Sequence, residues 1–364
     1  MTNRPILYLH VGPGKTGTSA IQRWLGDQAD KLKAASYLYP VPDDLLLFEG
    51  NASVLGNILL RDAGDEDVMR TEIEAIVDDF DRHVGSAGCA NLILSSEYLA
   101  GAQKDNLHLF KKIASPHFSI KIILVARHPY PWLWSVWGQF VKRNGERRSF
   151  SEFAERAATS YGVHKKFFDI FEDVILLPYS SDKIIWYFAD AIGLDPDRFG
   201  VDAAQSAIVN RSLTEQEIRV LLCVNGICKS AAVSTRISDY MIQKRPHLTS
   251  YMELDPAVMA RIDALCGDAM GFLEARHPGS TKWAPPPGIV PADSAQGGPL
   301  VIPQDVMNFS LKVVRDEAAR NAKADMRAEI SAASEAASPR RKWPAIIRLP
   351  YKWGRALWKS WRAD

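Results

Sequence analysis

The sequence predicts a three-layer α/β fold, a central parallel sheet flanked by helices, with a helical extension at the C-terminal end. Four short apolar runs carry that prediction: Ile6 to Val11, Asn91 to Leu94, Ile120 to Ala126 and Val174 to Leu177. Each is followed by a stretch of helical periodicity, the alternation expected of a doubly wound parallel sheet. The third run is apolar apart from Lys121, as suits a strand covered on both faces. With 364 residues, 47% apolar and 24% charged, the chain has an ordinary globular balance and room for one large α/β domain plus an extension, or for two small domains.

The first unit, ILYLHVGPGKTGTSAIQRWL from Ile6 to Leu25, is the one the others are arranged around. Its apolar run is cut by Gly12-Pro13-Gly14, passes Lys15 and Thr16, and resumes at Gly17-Thr18-Ser19. Ile21, Trp24 and Leu25 then recur at helical spacing. A strand, a tight loop and a helix in this order turn the first backbone N–H groups of the helix toward one point. The helix dipole also favours negative charge there, so the loop is suited to a phosphate. Lys15 adds a positive charge, and Thr16, Thr18 and Ser19 add hydroxyl donors. The ATP-type loop G-x-x-x-x-G-K-[ST] is matched only in its right half, because Leu9 stands where its first glycine belongs.

Tyr37 to Pro40 reads as a short strand, and Asp43 to Leu60 as a loop followed by a helix. Arg61 to Val84 reads as a helix whose Ile73, Ile76, Val77 and Phe80 face the core. The second apolar run ends in Ser95-Ser96-Glu97. Ligands of open parallel sheets bind beyond the carboxyl ends of the strands, so these three residues are expected beside the phosphate loop. The third run ends at Arg127-His128-Pro129, and Pro129 with Pro131 introduces a helix carrying Trp132, Trp134, Ser135, Trp137 and Phe140. Its aromatics cover more than one helical face, so some belong to the core and at most one or two line a cleft. The fourth run leads into Pro178-Tyr179-Ser180, followed by a helix ending near Gly193. From Asn210 to about Arg276 the pattern is helical, clearest over Leu213 to Val224 and Ala257 to Leu273. A Pro/Gly-rich linker covers 281–303, an Ala-rich helix 304–338 with Met307, Leu311, Val314 and Ala318 on one stripe, and a basic, Trp-rich tail 339–364.

A net charge of +1 gives no global pull toward nucleic acid. Cys89, Cys223, Cys228 and Cys266 form no C-x-x-C pair and have no histidine at zinc-finger spacing, so neither a structural zinc nor a disulfide framework is suggested. Only five residues precede the first strand and no run reaches the roughly 20 apolar residues of a membrane span, so the expected location is the cytoplasm. The alternating Arg/Lys and Trp of the tail suit peripheral contact with the inner face of a membrane, packing on the chain's own domain, or an acidic polymer.

His10-x-Gly12-x-x-Lys15-Thr16-Gly17-Thr18-Ser19 resembles the 5′-phosphosulfate loop of the sulfotransferases that use 3′-phosphoadenosine 5′-phosphosulfate, especially the bacterial and carbohydrate-acting branches. Arg127-His128-Pro129, with Ser135 eight positions after the arginine, is similar to that family's 3′-phosphate motif. The resemblance covers Ile6 to Gly193, and loosely the helical part to about 280, making residues 1–280 the sulfotransferase-like domain. It implies that Gly12, Pro13, Gly14, Lys15, Thr16, Gly17, Thr18 and Ser19 hold the 5′ end of the donor, that Arg127 and Ser135 hold its 3′-phosphate, and that Tyr179 lies near its nucleoside. The family's acidic residue next to that tyrosine is replaced here by Ser180. The resemblance also implies a sulfuryl donor as co-substrate, a carbohydrate or glycolipid hydroxyl as acceptor, no metal, and a soluble enzyme of bacterial type.

Sulfuryl transfer needs positioning, charge stabilisation along the line of displacement, and a base for the acceptor hydroxyl. Lys15 is the candidate beside the oxygen that joins phosphate to sulfate, where negative charge grows. Glu97 is the candidate base, standing where the cytosolic branch carries a catalytic histidine; the competing reading is a capping or ion-paired glutamate. The region around Glu49-Gly50-Asn51-Ala52, where several relatives carry a competing histidine, has none. His10 reads as an orienting or core histidine. Arg211, in Asn210-Arg211-Ser212-Leu213, suits either a phosphate contact or a helix start capped from Ser212 to Glu215. Two alternatives stand beside the transferase: a Mg-ATP kinase on the same strand-loop-helix unit, with Glu97 as its metal carboxylate, and a non-catalytic binder of glycans or membranes.

Overall fold

The computed structural model describes residues 4–41, 50–62, 66–200, 211–228, 230–248, 252–276, 289–291 and 302–337. Glu49, Asn210, most of the 281–303 linker and the whole 339–364 tail lie outside them. The described part opens with β1 (Ile6–Val11), α1 (Thr18–Asp27), α2 (Ala29–Ala34), β2 (Tyr37–Leu38), α3 (Ser53–Leu59), α4 (Glu66–Ala87) and β3 (Asn91–Ser96). It continues through α5 (Lys104–Ala114), β4 (Ser119–Ala126), α6 (Pro129–Arg143), α7 (Phe150–Ala157), α8 (Lys165–Ile170), β5 (Val174–Pro178) and α9 (Ile184–Ala191). It closes with α10 (Glu215–Cys228), α11 (Ala231–Lys244), β6 (Met252–Leu254), α12 (Pro256–Arg276), β7 (Ile289–Pro291) and α13 (Gln304–Ala337).

The first five strands form one parallel sheet in the order β2-β3-β1-β4-β5. Helices flank it, as the alternating pattern predicts. β1 lies at the centre, its His10 opposite Ser95 of β3 on one side and Ile123 of β4 on the other. That place explains its composition: Leu7, Leu9 and Val11 are buried, as are Leu92 to Leu94 and Ile122 to Ala126 on its neighbours. Because all five strands run the same way, β1, β3, β4 and β5 deliver Gly12, Glu97, Arg127 and Tyr179 to one edge of the sheet. The strand order reverses around β1, the kind of point where open α/β sheets bind ligands.

Each face of the sheet is covered by the apolar stripe of its helices. α1 buries Ile21, Trp24 and Leu25, which pack with Phe188 of α9, Tyr8 and Ile123 in one cluster. α4 buries Met69, Ile73, Val77 and Val84, and Ile76 and Phe80 are half-buried. α6 begins where expected: Pro129 occupies the first turn, and the His128 ring accepts the Tyr130 N–H as its cap. Trp134 and Trp137 are core, with ring centroids 5.1 Å apart and both packed on Phe150. α7 starts at a reciprocal capping box between Ser149 and Glu152.

The chain divides into two compact units at Val313/Val314, of which the described residues are those given above. In the first, β6 pairs in parallel with β7, which lies inside the stretch read as a linker. The start of α13 buries Val306, Ser310 and Val313, and Phe309 stacks on Tyr240 of α11. Met307 and Leu311, read as one stripe, are exposed on the neighbouring face, Leu311 at 61%. In the second unit the described residues, Val314 to Ala337, are helical. No helix among the described residues is long and apolar enough to cross a membrane. The four cysteines form no disulfide.

Candidate active site

The loop between β1 and α1 is built by close approach. A Cβ on Gly12 would lie 2.1 Å from Thr18 Oγ1, and Gly17 takes φ +87°, where a Cβ would also press within 3.2 Å of the Tyr179 ring. Glycine is therefore required at both places. Thr16 Oγ1 donates to the Pro13 carbonyl at 2.6 Å and Thr18 Oγ1 to the Gly12 carbonyl at 3.5 Å. Both hydroxyls are buried and brace the loop from within. What the loop presents outward is its backbone. Thr18 and Ser19 hold the first helical positions, whose N–H groups have no carbonyl a turn behind them. Ser19 is exposed, and no acidic residue stands in the first turn of α1 to oppose a bound anion.

Lys15 adopts φ +72°, a left-handed conformation that side chains with a Cβ rarely take. It is held there from three directions. Arg127 donates to the Lys15 carbonyl at 3.0 Å, Trp132 Nε1 to the Gly14 carbonyl at 3.1 Å, and the Lys15 ammonium to Gln139 Oε1 at 3.1 Å. The last two partners both come from α6. Burial lowers the Lys15 pKa, Arg143 and Arg127 add to the lowering, and Glu97 opposes it.

Glu97 follows β3 directly and opens a short 3₁₀ turn to Gly101. Its Oε2 lies 3.4 Å from where a Cβ on Gly14 would stand, so the carboxylate reaches the loop as the strand topology predicts. Burial raises its pKa, and the nearby Lys15 charge pulls the other way. The cap of that 3₁₀ turn is Ser96, whose hydroxyl accepts from the Tyr98 N–H at 3.2 Å. Glu97 is thus left free of the capping half of its competing reading, while the Lys15 charge stands close enough to act on it. Ser95 turns inward to His10.

Arg127 leaves the end of β4 with its guanidinium 4.5 Å from the centroid of the Tyr179 ring. Its carbonyl accepts from the Tyr161 hydroxyl at 2.7 Å, while the Tyr179 N–H binds the neighbouring Ala126 carbonyl at 2.7 Å. Burial lowers the Arg127 pKa, and Tyr179 opposes the shift. Ser135 is half-buried on α6, and its hydroxyl makes no hydrogen bond to another described residue, so it is not bonded back to its own turn. At three residues after Trp132 and four before Gln139, it shares their face, the one turned to the loop.

His10 is fully buried, its Nδ1 2.8 Å from Ser95 Oγ, which also accepts from Gln22 Nε2 at 3.1 Å. Its ring meets Phe188 edge-on, and burial pushes its pKa down to about 3. It is a core histidine beneath the loop, as its place at the strand end suggests. Arg211 is buried with its guanidinium engaged inside the chain: it forks onto Glu217 at 2.7 and 2.6 Å and donates to the carbonyls of Ser212 and Met241. The cap of α10 is Thr214 with Glu217, two residues later than the expected Ser212 to Glu215 pair.

Sequence reasoning missed Trp132 and Gln139 as braces of the loop, and Lys142 and Arg143 further along the same helix. The signal was the helical spacing from Ser135. It also missed Asn51, whose side chain pins β3 by donating to the Ile93 carbonyl at 2.9 Å and accepting from the Ser95 N–H at 2.8 Å. A cavity of about 210 Å³ lies between the Ala158–Lys165 segment and α12, lined in part by His164, Asp268 and Phe272, and includes none of the loop residues. No group of three or more His, Cys, Asp or Glu side chains among the described residues is placed to hold a metal ion.

No family model matches the chain, and neither does any curated protein. Among solved structures the chain is similar to a sulfotransferase from Alicyclobacillus acidocaldarius, at 17% identity over 75% of this chain and 95% of that one, with a TM-score of 0.34. A likeness of that size carries no weight for function.

Proposed function

We propose that the protein is a sulfotransferase that moves a sulfuryl group from 3′-phosphoadenosine 5′-phosphosulfate to a hydroxyl of a carbohydrate or glycolipid. The observation that supports this best is that Lys15, Glu97 and Arg127 meet at one sheet edge, with Arg127 bonded to the carbonyl of Lys15 itself. A donor with phosphates at both ends of its ribose needs two anion sites held in fixed relation. The loop with the α1 N-terminus would hold the 5′-phosphate, and Arg127 with the Ser135 hydroxyl the 3′-phosphate. The close backbone packing at Gly12 and Gly17 and the acid-free first turn of α1 fit such a ligand. The donor supplies an activated sulfuryl group.

In this reading Glu97 accepts the proton of the acceptor hydroxyl as its oxygen bonds to sulfur. Lys15 stabilises the negative charge gathering on the phosphate oxygen as the old sulfur–oxygen bond breaks. The raised Glu97 pKa suits a base and the lowered Lys15 pKa reflects the burial that makes its charge count. Arg127 and Tyr179 position and do not exchange protons. The acceptor preference rests on the resemblance of the loop to the carbohydrate-acting branch, and the tail would add contact with a membrane surface.

Transfer of labelled sulfate from the donor to a panel of glycans and glycolipids, with Lys15→Ala as control, tests the reading. Label in a glycan product from the wild type and none from the variant is expected. Phosphate transfer from Mg-ATP instead would make the kinase reading correct, and binding without either transfer would make the protein a non-catalytic glycan binder.

A further inference from the structure

Lys142 is a half-buried cation that the proposed reaction leaves unused. α6 runs past Gln139, the partner of the Lys15 ammonium, into Lys142 and Arg143. Lys142 stands seven residues after Ser135 and three after Gln139, so all three share the helix face turned to the loop. Around it the charges are unequally satisfied. Arg143 forks onto Asp239 of α11 at 3.1 and 2.7 Å, and Arg211 onto Glu217. The Lys142 ammonium has no ion pair and no hydrogen bond to another described residue; outside the helix's own ladder, its backbone carbonyl accepts from Thr235 Oγ1 at 3.0 Å. Burial is the largest influence lowering its pKa, to about 8; Lys15, Arg143 and Arg211 repel it as well, and Asp239 acts in the opposite sense. An ammonium withdrawn from water among like charges is costly to hold in place. An anion beside it would remove both costs.

The position along α6 separates that anion from the donor's phosphates. Seven residues of helix advance about 10 Å, so Lys142 lies well beyond Ser135, with Gln139 and its bound Lys15 between them. If Lys15 marks the point of transfer, the 3′-phosphate side lies toward Ser135. The side beyond Gln139, where Lys142 stands, is then the side of the incoming hydroxyl.

We infer that Lys142 binds an anionic group carried by the acceptor, a carboxylate or a phosphate near the hydroxyl to be sulfated, so that the acceptor is an acidic rather than a neutral sugar. This rests on the sulfuryl-transfer reading of the loop. It makes Lys142 a specificity residue that takes no part in bond making.

The test uses the full chain saturated with adenosine 3′,5′-bisphosphate and titrated calorimetrically with glucuronate, glucose 1-phosphate and glucose at millimolar concentrations. The expected result is binding of at least one acidic sugar ten-fold or more tighter than glucose, reduced at least ten-fold in Lys142→Met and kept in Lys142→Arg, with bisphosphate affinity the same in all three proteins. Preference between the two acidic sugars tells carboxylate from phosphate. Equal binding of glucose, acidic-sugar binding unchanged in Lys142→Met, or no acidic-sugar binding by protein that takes up the bisphosphate would each overturn the inference. A protein that fails to bind the bisphosphate in the first titration would instead overturn the donor-site reading, before any sugar is added.

Discussion

Lys15 combines a left-handed backbone, costing about 1 kcal/mol or more, with a half-buried charge, and both are maintained by neighbours that bind its carbonyl and its ammonium. Such a residue is positioned for a task at its ammonium. Lys15→Ala is therefore expected to lower kcat by roughly 10²–10⁴ with little change in fold, as loss of charge stabilisation does. Glu97→Gln should lower kcat by a similar roughly 10²–10⁴ through loss of the base. The pH dependence of kcat/KM follows from their opposite shifts. Glu97 must be ionised, and its raised pKa places the rising limb above the ordinary carboxylate range. Lys15 must be charged, and its lowered pKa brings the falling limb below the ordinary lysine range. A profile whose rising limb survives Glu97→Gln unchanged would remove the base assignment.

At the scale of elements, α6 works as a brace laid along the phosphate loop. Trp132, Ser135, Gln139 and Lys142 occupy one face, and two of the four bond the loop directly. A neutral hydrogen bond is worth about 1 kcal/mol, so Trp132→Phe, which keeps an aromatic side chain but loses Nε1 and its bond to the Gly14 carbonyl, should weaken donor binding roughly five-fold or more. Calorimetry with adenosine 3′,5′-bisphosphate reads this directly, and unchanged affinity would mean that the loop holds its shape without α6. The strand ends were legible in the sequence because strands buried on both faces are continuous apolar runs that stop where the sheet meets the cleft. Ser95-Ser96-Glu97 and Arg127-His128-Pro129 mark those stops. The helix faces were less legible. α13 turns Val306, Ser310 and Val313 inward and not Met307 and Leu311, because two apolar stripes lie side by side and only the packing against Tyr240 and its neighbours chooses between them. The role of Arg211 was hidden for the same reason: Glu217 is six residues away in sequence but within bonding distance across the turn that opens α10.

At the scale of the whole molecule, His10 and His164 are held in the core as neutral rings. His10 under the loop has its pKa pushed down to about 3, and His164 beside Tyr161 to about 4, both by burial. An unfolded chain protonates these rings near pH 6.5, so their contribution to stability is whole above that pH and is lost as pH falls toward the folded values. The slope is about 1.4 kcal/mol per pH unit for each histidine. The urea midpoint should fall steadily between pH 6.5 and 4.5, and less steeply in His164→Gln; a midpoint constant over that window would contradict the burial of both rings. The parallel order of the sheet was readable from composition and alternation alone. That β1 is central, with β2 reduced to two residues at the edge, was not, because strand order depends on contacts between distant segments.

The central claim is that two anion sites, one at the Lys15 loop and one at Arg127, belong to a single donor. Calorimetric titration with adenosine 3′,5′-bisphosphate in the absence of metal, on wild type and Arg127→Ala, tests it most directly. Tight binding that falls ten-fold or more in the variant is the predicted result. Affinity equal in the two proteins, or binding seen only with Mg-ATP, would contradict it.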